Sequence, residues 1–260
     1  MKYNLKLFFG TFLTVFLIFF IWKSSYIYGC YILILPIIVL LVISHSFVEL
    51  KMQERFCFRD CYFSEKSVFA SLLSSRLFVM IFYIMLSILM TISIMYAVID
   101  FTTLFWLYLV FHVFFAVFLF KWLNKILSST VKDNYLGLFS REWAINISSL
   151  LLFVIYIYIS LQGYAPEYLR QTQSETQLVA SNTIFSRCDI VNYILKVKVE
   201  IDSIVWWSFS SYAEHIDNTS FKSIAWLSFI FMNSLAILGI NRFMLQVVYY
   251  LDKLFSKDVI

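Results

Sequence analysis

The chain has 260 residues, of which 62% are hydrophobic, 20% aromatic and only 14% charged, and its formal net charge is +4. A soluble domain carries about 25% charged residues, whereas the apolar residues here form long blocks of the kind that hydrocarbon requires. The composition therefore excludes a soluble globular protein, and the small, scattered net charge argues against a nucleic-acid partner.

Six transmembrane helices are predicted from these apolar blocks. They cover residues 5–22, 26–44, 77–99, 101–120, 143–161 and 222–241. No A-x-A cleavage site follows the first block, so it predicts an uncleaved first span rather than a signal peptide. Spans three and four are separated by little more than Asp100, which predicts a tight helical hairpin. The predicted fold class is an all-α polytopic membrane protein.

The orientation of the spans follows from the distribution of basic side chains. Lysine and arginine precede span one, occupy the loops after spans two and four, and follow span six, and these positions include Arg141 and Arg242. The opposite side shows Lys23, then Asp100, then the long segment 162–221. Both termini are therefore predicted to be cytoplasmic, in a cell inner (plasma) membrane. Five tryptophans near predicted span ends fit the same arrangement: Trp22, Trp106, Trp122, Trp143 and Trp226.

Three parts are predicted along the chain. Residues 1–161 hold five spans and a cytoplasmic loop, 45–67, in which the segment 46–66 repeats apolar residues at i, i+4 and i+8 among charged ones. That spacing predicts an amphipathic helix lying on the membrane face. Residues 222–260 form span six and an amphipathic cytoplasmic tail. The basic side chains of the loop are candidate contacts for a cytoplasmic partner: Lys51, Arg55 and Arg59.

The third part, residues 162–221, is predicted to be a small extracytoplasmic α+β cap between spans five and six. A helix is expected after Pro166, because proline suits the first turn of a helix. Further on, Val197, Val199 and Ile201 alternate with charged residues. A period of two among β-branched residues predicts a strand.

A tryptophan pair, Trp206 and Trp207, follows the predicted strand in the sequence IVWWSFSSYAEH. Paired tryptophans followed by serines, between the last two spans, resemble the pore helix of tetrameric potassium-type channels, which would imply a pore loop. However, no TVGYG sequence follows, and SSYAEHIDNTS holds no glycine for a carbonyl-lined filter. The pair is therefore predicted to anchor the cap to the outer membrane surface, with a pore loop or a partner-binding patch as alternatives.

Three polar residues are predicted at membrane depth, where an ionisable or amide group needs a partner. His112 is the ionisable one, and we expect a neutral imidazole bonded to a serine or threonine of span three, such as Ser87, Thr91 or Ser93. A proton or ion relay would need a second titratable station, and none is predicted at that depth. Asn146 and Asn233 are of the type that links helices through hydrogen bonds in lipid.

The four cysteines are Cys30, Cys57, Cys61 and Cys188. They are not expected to form a disulfide framework, since the predicted topology places them in different compartments. Cys188 could be buried, free or linked to a second protomer. The spacing Cys57-x3-Cys61 lacks the second ligand pair of a structural zinc site, and no catalytic motif is present. We therefore predict no metal, no cofactor and no enzymatic activity.

The function predicted from these features is that of a non-enzymatic inner-membrane subunit or sensor that couples an outer event to a protein partner. Membrane components of defence, exclusion or immunity systems would fit this description. Membrane lipid and either a homo-oligomer or another protein are the expected partners. The alternative is an oligomeric ion channel or small-solute pore or transporter. Scarce glycine and proline within the spans weaken the transporter, because broken helices usually form its binding site.

Overall fold

A computed structural model describes residues 2–62, 76–161, 166–213, 223, 227 and 234–257. Within these ranges every regular element is helical and none is a strand. A 3-10 turn at Cys30–Leu33 separates the first two α-helices. The eight α-helices of these ranges, numbered in chain order, are α1 (Lys2–Ser25), α2 (Ile34–Tyr62), α3 (Arg76–Asp100), α4 (Thr103–Leu127), α5 (Asp133–Leu161), α6 (Gln173–Asn182), α7 (Asp189–Ala213) and α8 (Leu235–Lys257).

Helices α1 to α5 contain the segments that are long and apolar enough to cross a membrane. These five segments are Tyr3–Ser25, Cys30–Cys57, Met80–Asp100, Thr103–Leu127 and Tyr135–Ile155. They correspond to the first five predicted spans, and the chain has the architecture of an all-helical membrane protein. Most of the predicted sixth span, 222–241, lies outside the described residues, and its last part, from Leu235, belongs to α8.

The predicted short turn between spans three and four is confirmed, because only two residues separate α3 from α4, although the two helices make little contact with each other. Helix α3 ends at Asp100, and the Thr102 hydroxyl caps α4 by accepting a hydrogen bond from the backbone N–H of Phe105 at 3.3 Å. A threonine cap satisfies one of the backbone donors that every helix start leaves free. The Lys23 ammonium donates to the Phe101 carbonyl at 2.6 Å, and this hydrogen bond links the end of α1 to the turn between α3 and α4.

The predicted separation of the second span from a membrane-face helix at 46–66 is wrong. Helix α2 runs without a break from Ile34 to Tyr62, and the rest of the predicted loop lies outside the described residues. The segment that joins the two predicted helices contains neither glycine nor proline, so nothing in the backbone interrupts the helix. Ser46 and Phe47 are buried against the other helices, which extends the packed part of α2 beyond the predicted span.

Helix α8 lies at the centre of the bundle. Its eight consecutive residues from Asn241 to Val248 are all buried, and it contacts each of α1 to α5. A helix that is buried all round must be surrounded by other helices. Gly239 allows α3 to approach closely, because a Cβ atom there would lie 2.8 Å from Ile94 Cδ1. The amphipathic C-terminal helix predicted after span six is therefore the core of the bundle up to Val248, rather than a tail.

The predicted strand at Val197–Ile201 is wrong, because this segment lies within helix α7. Val191, Leu195 and Val199 are buried, and their spacing of four residues places them on one helical face. The β-branched residues that suggested a period of two satisfy the helical period as well. Within residues 166–213 the cap is thus helical, and the helix expected after Pro166 begins only at Gln173, after a Thr172 cap.

A disulfide bond joins Cys30 to Cys188 across 158 residues, which corrects the prediction that the cysteines lie in different compartments. Cys30 begins the 3-10 turn between α1 and α2, and Cys188 directly precedes α7. Two hydrogen bonds support the junction: Ser186 donates to the Tyr26 carbonyl at 2.6 Å, and the Arg187 N–H donates to the Ile27 carbonyl at 3.0 Å. The cap is therefore covalently tied to one end of the bundle.

Candidate functional site

A cluster of charged side chains lies inside the bundle, where α2, α5 and α8 meet. We call it the arginine cluster, and its members are Ser46, Glu49, Arg141, Glu142, Arg242 and Gln246. The Arg141 side chain has 0% exposure. Its guanidinium donates to Glu49 at 2.7 Å and to Gln246 at 2.6 Å. It also donates to Glu142 at 2.9 Å and to the Ser46 carbonyl at 3.2 Å.

Arg242 forms the second half of the arginine cluster. It donates to Glu142 at 2.9 Å and to the Ser46 hydroxyl at 3.1 Å. Its guanidinium carbon lies 3.9 Å from the centre of the Phe47 ring, a cation–π distance. Glu142 therefore bridges the two arginines, and Ser46 accepts from both of them.

The electrostatics of the arginine cluster balance. Two guanidinium groups face two carboxylates, so the four formal charges sum to zero. A buried charge is tolerated only when it is paired and hydrogen-bonded, and removing one partner strands the other. The cluster therefore fixes the relative positions of α2, α5 and α8.

The predicted placement of Arg141 in a loop and of Arg242 beyond the last span is wrong, because Arg141 lies within α5 and Arg242 within α8. Each is buried, and each is bonded within the bundle. One sequence signal could have indicated this: Glu142 directly follows Arg141, so an arginine and a carboxylate lie side by side near the start of the predicted fifth span. Charge composition alone does not distinguish a basic loop from a buried ion pair.

His112 is fully buried, and its partner is not the one predicted. Its Nε2 lies 2.6 Å from Asn241 Oδ1, and its Nδ1 lies 3.2 Å from the Tyr108 hydroxyl. One neutral tautomer satisfies both contacts, with Nε2 donating to Asn241 and Nδ1 accepting from Tyr108. The expected partners Ser87 and Thr91 instead donate to carbonyls of their own helix, as short polar side chains often do in lipid.

Substitution of His112 tests this pair. His112→Leu should lower the free energy of unfolding by about 1–3 kcal/mol, because it leaves the Asn241 amide buried without its partner. Adding Asn241→Leu should recover most of that loss, since removal of both partners of a buried hydrogen bond is nearly neutral. The measurement is thermal unfolding in detergent for the two single variants and the double variant. Additive losses would show that the two residues do not interact.

A third set of polar contacts ties the far end of α8 to α1 and α4. Asp252 accepts from the Tyr3 hydroxyl at 2.9 Å and forms an ion pair with Lys121. We call the arginine cluster, the His112–Asn241 pair and these Asp252 contacts together the polar ladder. The ladder runs along the central helix and bonds it to α1, α2, α4 and α5.

The predicted tryptophan and asparagine sites have separate outcomes. Trp206 and Trp207 are half-buried on α7, and the Trp207 indole donates to the Gln171 carbonyl at 3.2 Å. That contact lies within the cap, and whether the pair also rests on the membrane stays a prediction. Asn146 is exposed on α5, and Asn233 lies outside the described residues. Trp22, expected at a membrane interface, is instead buried and donates to the Met95 carbonyl at 2.8 Å.

The predicted cytoplasmic contact residues lie on the last turns of α2. Lys51 pairs with Glu54 at 2.6 Å, whereas the Arg59 side chain lies outside the described residues. Arg55 is half-buried and already engaged in a contact. An exposed pair of this kind contributes little to stability, so Lys51 is available to a partner at small energetic cost.

Two cavities border the helices of the bundle. One, of about 440 Å³, is an open apolar groove between α2 and α3. Its lining includes His45 of α2 and Tyr250 of α8. The other, of about 60 Å³, lies between the cap helix α7 and the bundle, beside Trp22. Of the residues that line these two cavities, only Tyr250 belongs to the central helix.

The contact of α7 with α3 contains a carboxylate that should make the cap sensitive to pH. Asp202 pairs with Lys198, whose ammonium also lies 5.4 Å from the centre of the Tyr96 ring. Burial raises the pKa of the Asp202 carboxyl, although the Lys198 ammonium opposes the shift. Asp100, at the end of α3, is the other carboxylate close enough to interact with it.

The sign of the pH effect follows from this raised pKa. The folded cap binds the Asp202 proton more tightly than the unfolded chain does, so its stability falls as the pH rises from about 4 through the raised pKa. We expect hydrogen exchange in α7, corrected for intrinsic rates, to be slower at mildly acidic than at neutral pH. Asp202→Asn should remove this difference, whereas Glu167→Gln, at an exposed carboxylate of the cap, should retain it. Slower hydrogen exchange in α7 at neutral than at mildly acidic pH would contradict a raised pKa of Asp202.

The fold and its apolar spans define the class of this chain as an all-helical membrane protein. Comparison with protein-family models, with curated proteins and with solved structures finds no match. The functional argument therefore rests on the polar ladder and on the cap.

Proposed function

We propose that this chain is a non-enzymatic membrane subunit that relays an event at its cap to a protein partner at the opposite end of the bundle. The observation that carries the proposal is the central position of α8. This helix follows the cap in the sequence, packs against all five apolar helices and is bonded by the polar ladder to four of them. A rigid element with contacts to every neighbour is suited to transmit a displacement along its length.

The tethered cap supplies the input end of this relay. The disulfide bond and the Ser186 contact to Tyr26 couple the cap to the turn between α1 and α2. Helix α7 also rests on α3. A ligand or partner that moves the cap would therefore also displace the helices that surround α8.

The opposite end offers basic side chains to a partner. The exposed ones include Lys6, Lys125, Lys132 and Lys253. An acidic protein surface at the cytoplasmic face would complement them. Lys51, in its exposed pair with Glu54, adds to the same surface.

Two independent features support an orientation with the cap outside and both termini in the cytoplasm. Disulfide bonds persist in oxidising compartments, which favours an extracytoplasmic cap. The excess of basic residues at the other end favours the cytoplasm, in keeping with the positive-inside rule. An inner or plasma membrane satisfies both requirements.

The alternative is an oligomeric channel or small-solute pore or transporter. Within one chain the central helix is packed on all sides, and the side chains of the polar ladder bond to one another. A conducting path would therefore have to form between several chains, with His112 too deeply buried to line it.

The test combines purification with electrical recording. The tagged chain is isolated in mild detergent, and a stoichiometric partner is identified and then recombined with the purified chain. Glu142→Gln, in the arginine cluster, should alter partner binding several-fold, whereas Glu167→Gln, at an exposed carboxylate of the cap away from the partner surface, should not. A wild-type conductance in planar bilayers that changes with Trp206→Ala, together with no stoichiometric partner, would overturn the relay in favour of a pore.

A further inference from the structure

Asn146 occupies an unusual position for an amide. It lies next to Ile145, the midpoint of the apolar segment Tyr135–Ile155 of α5, so a bilayer centred on that segment would surround it with hydrocarbon. Its side chain is exposed on the outside of the bundle and forms no hydrogen bond within the described part of the chain. Hydrocarbon offers neither donors nor acceptors, so an unpaired amide at this depth is strongly disfavoured.

The exposed face around Asn146 has the spacing of a helix–helix seam. Phe139, Trp143, Leu150 and Val154 are between 45% and 68% exposed. Together with Asn146 they follow one another at steps of four, three, four and four residues, close to the a/d pattern of a coiled coil. We call these five residues the α5 seam.

The opposite face of α5 is already occupied. Arg141, Ala144, Ser148 and Leu152 are buried within the bundle. Helix α5 therefore has one face committed to its own chain and another that carries a single amide among large apolar side chains. The apolar residues alone would be satisfied by lipid, whereas the amide would not.

We propose that two copies of this chain associate side by side through the α5 seam, with their Asn146 amides hydrogen-bonded to each other at the bilayer centre. The amide is both donor and acceptor, so it is its own complement. Two copies inserted in the same direction and related by a two-fold axis along the membrane normal carry Asn146 at the same depth. A single asparagine in an apolar seam specifies register and pairing in parallel coiled coils, and interhelical amide bonds stabilise helix association in lipid.

Disulfide cross-linking of the full-length chain in its membrane tests the seam. Cys57→Ser and Cys61→Ser provide the background, and the Cys30–Cys188 bond is retained. Leu150→Cys is then compared with Leu17→Cys, which is exposed on α1 and lies, like Leu150, a few residues past the midpoint of its apolar segment toward the cap. Mild oxidation should link two copies through position 150 and not through position 17.

The role of the amide is tested separately by dimerisation in lipid. Asn146→Leu should weaken self-association about tenfold, as expected for the loss of interhelical hydrogen bonds, and Asn146→Gln should restore most of it. The native mass in nanodiscs and energy transfer between labelled copies both report the dimer. A monomeric wild-type chain, equal cross-linking at both positions, or linkage of position 150 to a different protein would overturn the proposal.

Discussion

Replacing Arg141 with methionine is expected to lower the free energy of unfolding by about 3–5 kcal/mol, the range for breaking a buried ion pair. Methionine keeps much of the length of the side chain but none of its five donors. Glu49 would lose the contact at 2.7 Å, Gln246 would lose the one at 2.6 Å, and Glu142 would keep only Arg242. The cluster would then carry an uncompensated negative charge inside the bundle.

The matched control is Lys51→Met on α2, because Lys51 also pairs with a carboxylate but remains exposed. We expect that variant to change stability by at most about 1 kcal/mol. Thermal unfolding followed by size-exclusion fluorescence in detergent compares the two variants at equal protein concentration. Adding Glu49→Gln to Arg141→Met should recover part of the loss, since it removes the stranded charge. Equal effects of Arg141→Met and Lys51→Met would contradict a buried cluster.

Removal of the disulfide bond is the second large effect, with an expected loss of about 2–5 kcal/mol in the stability of the cap. The bond closes a loop of 158 residues, and long loops restrict the unfolded chain most in the chain-entropy account. Cys30→Ser with Cys188→Ser should therefore leave the five apolar helices folded and loosen α6 and α7. Limited proteolysis should cut the cap of the double variant many times faster than that of the wild type.

Thiol counting gives an independent measure of the same bond. Alkylation of the denatured wild-type chain should modify two more cysteines after reduction than before it. Cys57→Ser is the control, because Cys57 is an exposed free thiol, and its loss should leave the protease sensitivity of the cap unchanged. Four reactive thiols without reduction, together with an unaltered cap in the double variant, would exclude the tether.

Local sequence was sufficient for the turn at Asp100 and insufficient for α7. At Asp100, two apolar blocks meet around a carboxylate and a capping threonine, and both features act within a few residues. In α7, Val191, Leu195 and Val199 obey the helical period while neighbouring valines also alternate with charges. Packing of α7 against α6 and α3 favours the helix, and that packing is a tertiary contact.

The arginine cluster shows the same limit for charged residues. Sequence alone treats Arg141 and Arg242 as loop residues, because a charge normally stays in water. Each is buried in the structure because a carboxylate from another part of the chain meets it. His112 is a milder case: its depth and its need for a partner followed from the sequence, whereas Asn241 could be recognised as that partner only once α4 and α8 were seen to be neighbours.

The sequence by itself predicted six apolar spans, of which the first five correspond to apolar helices in the structure, and it predicted the turn at Asp100 and the basic end of the bundle. These properties follow from the requirement of hydrocarbon for long apolar segments and from the local chemistry of helix ends. Only the tertiary structure decided which side chains meet. Arg141 and Glu49 are 92 residues apart, His112 and Asn241 are 129 apart, and the two cysteines are 158 apart. Such pairs depend on which helices pack together and on how each is rotated, and neither quantity is encoded in a local pattern.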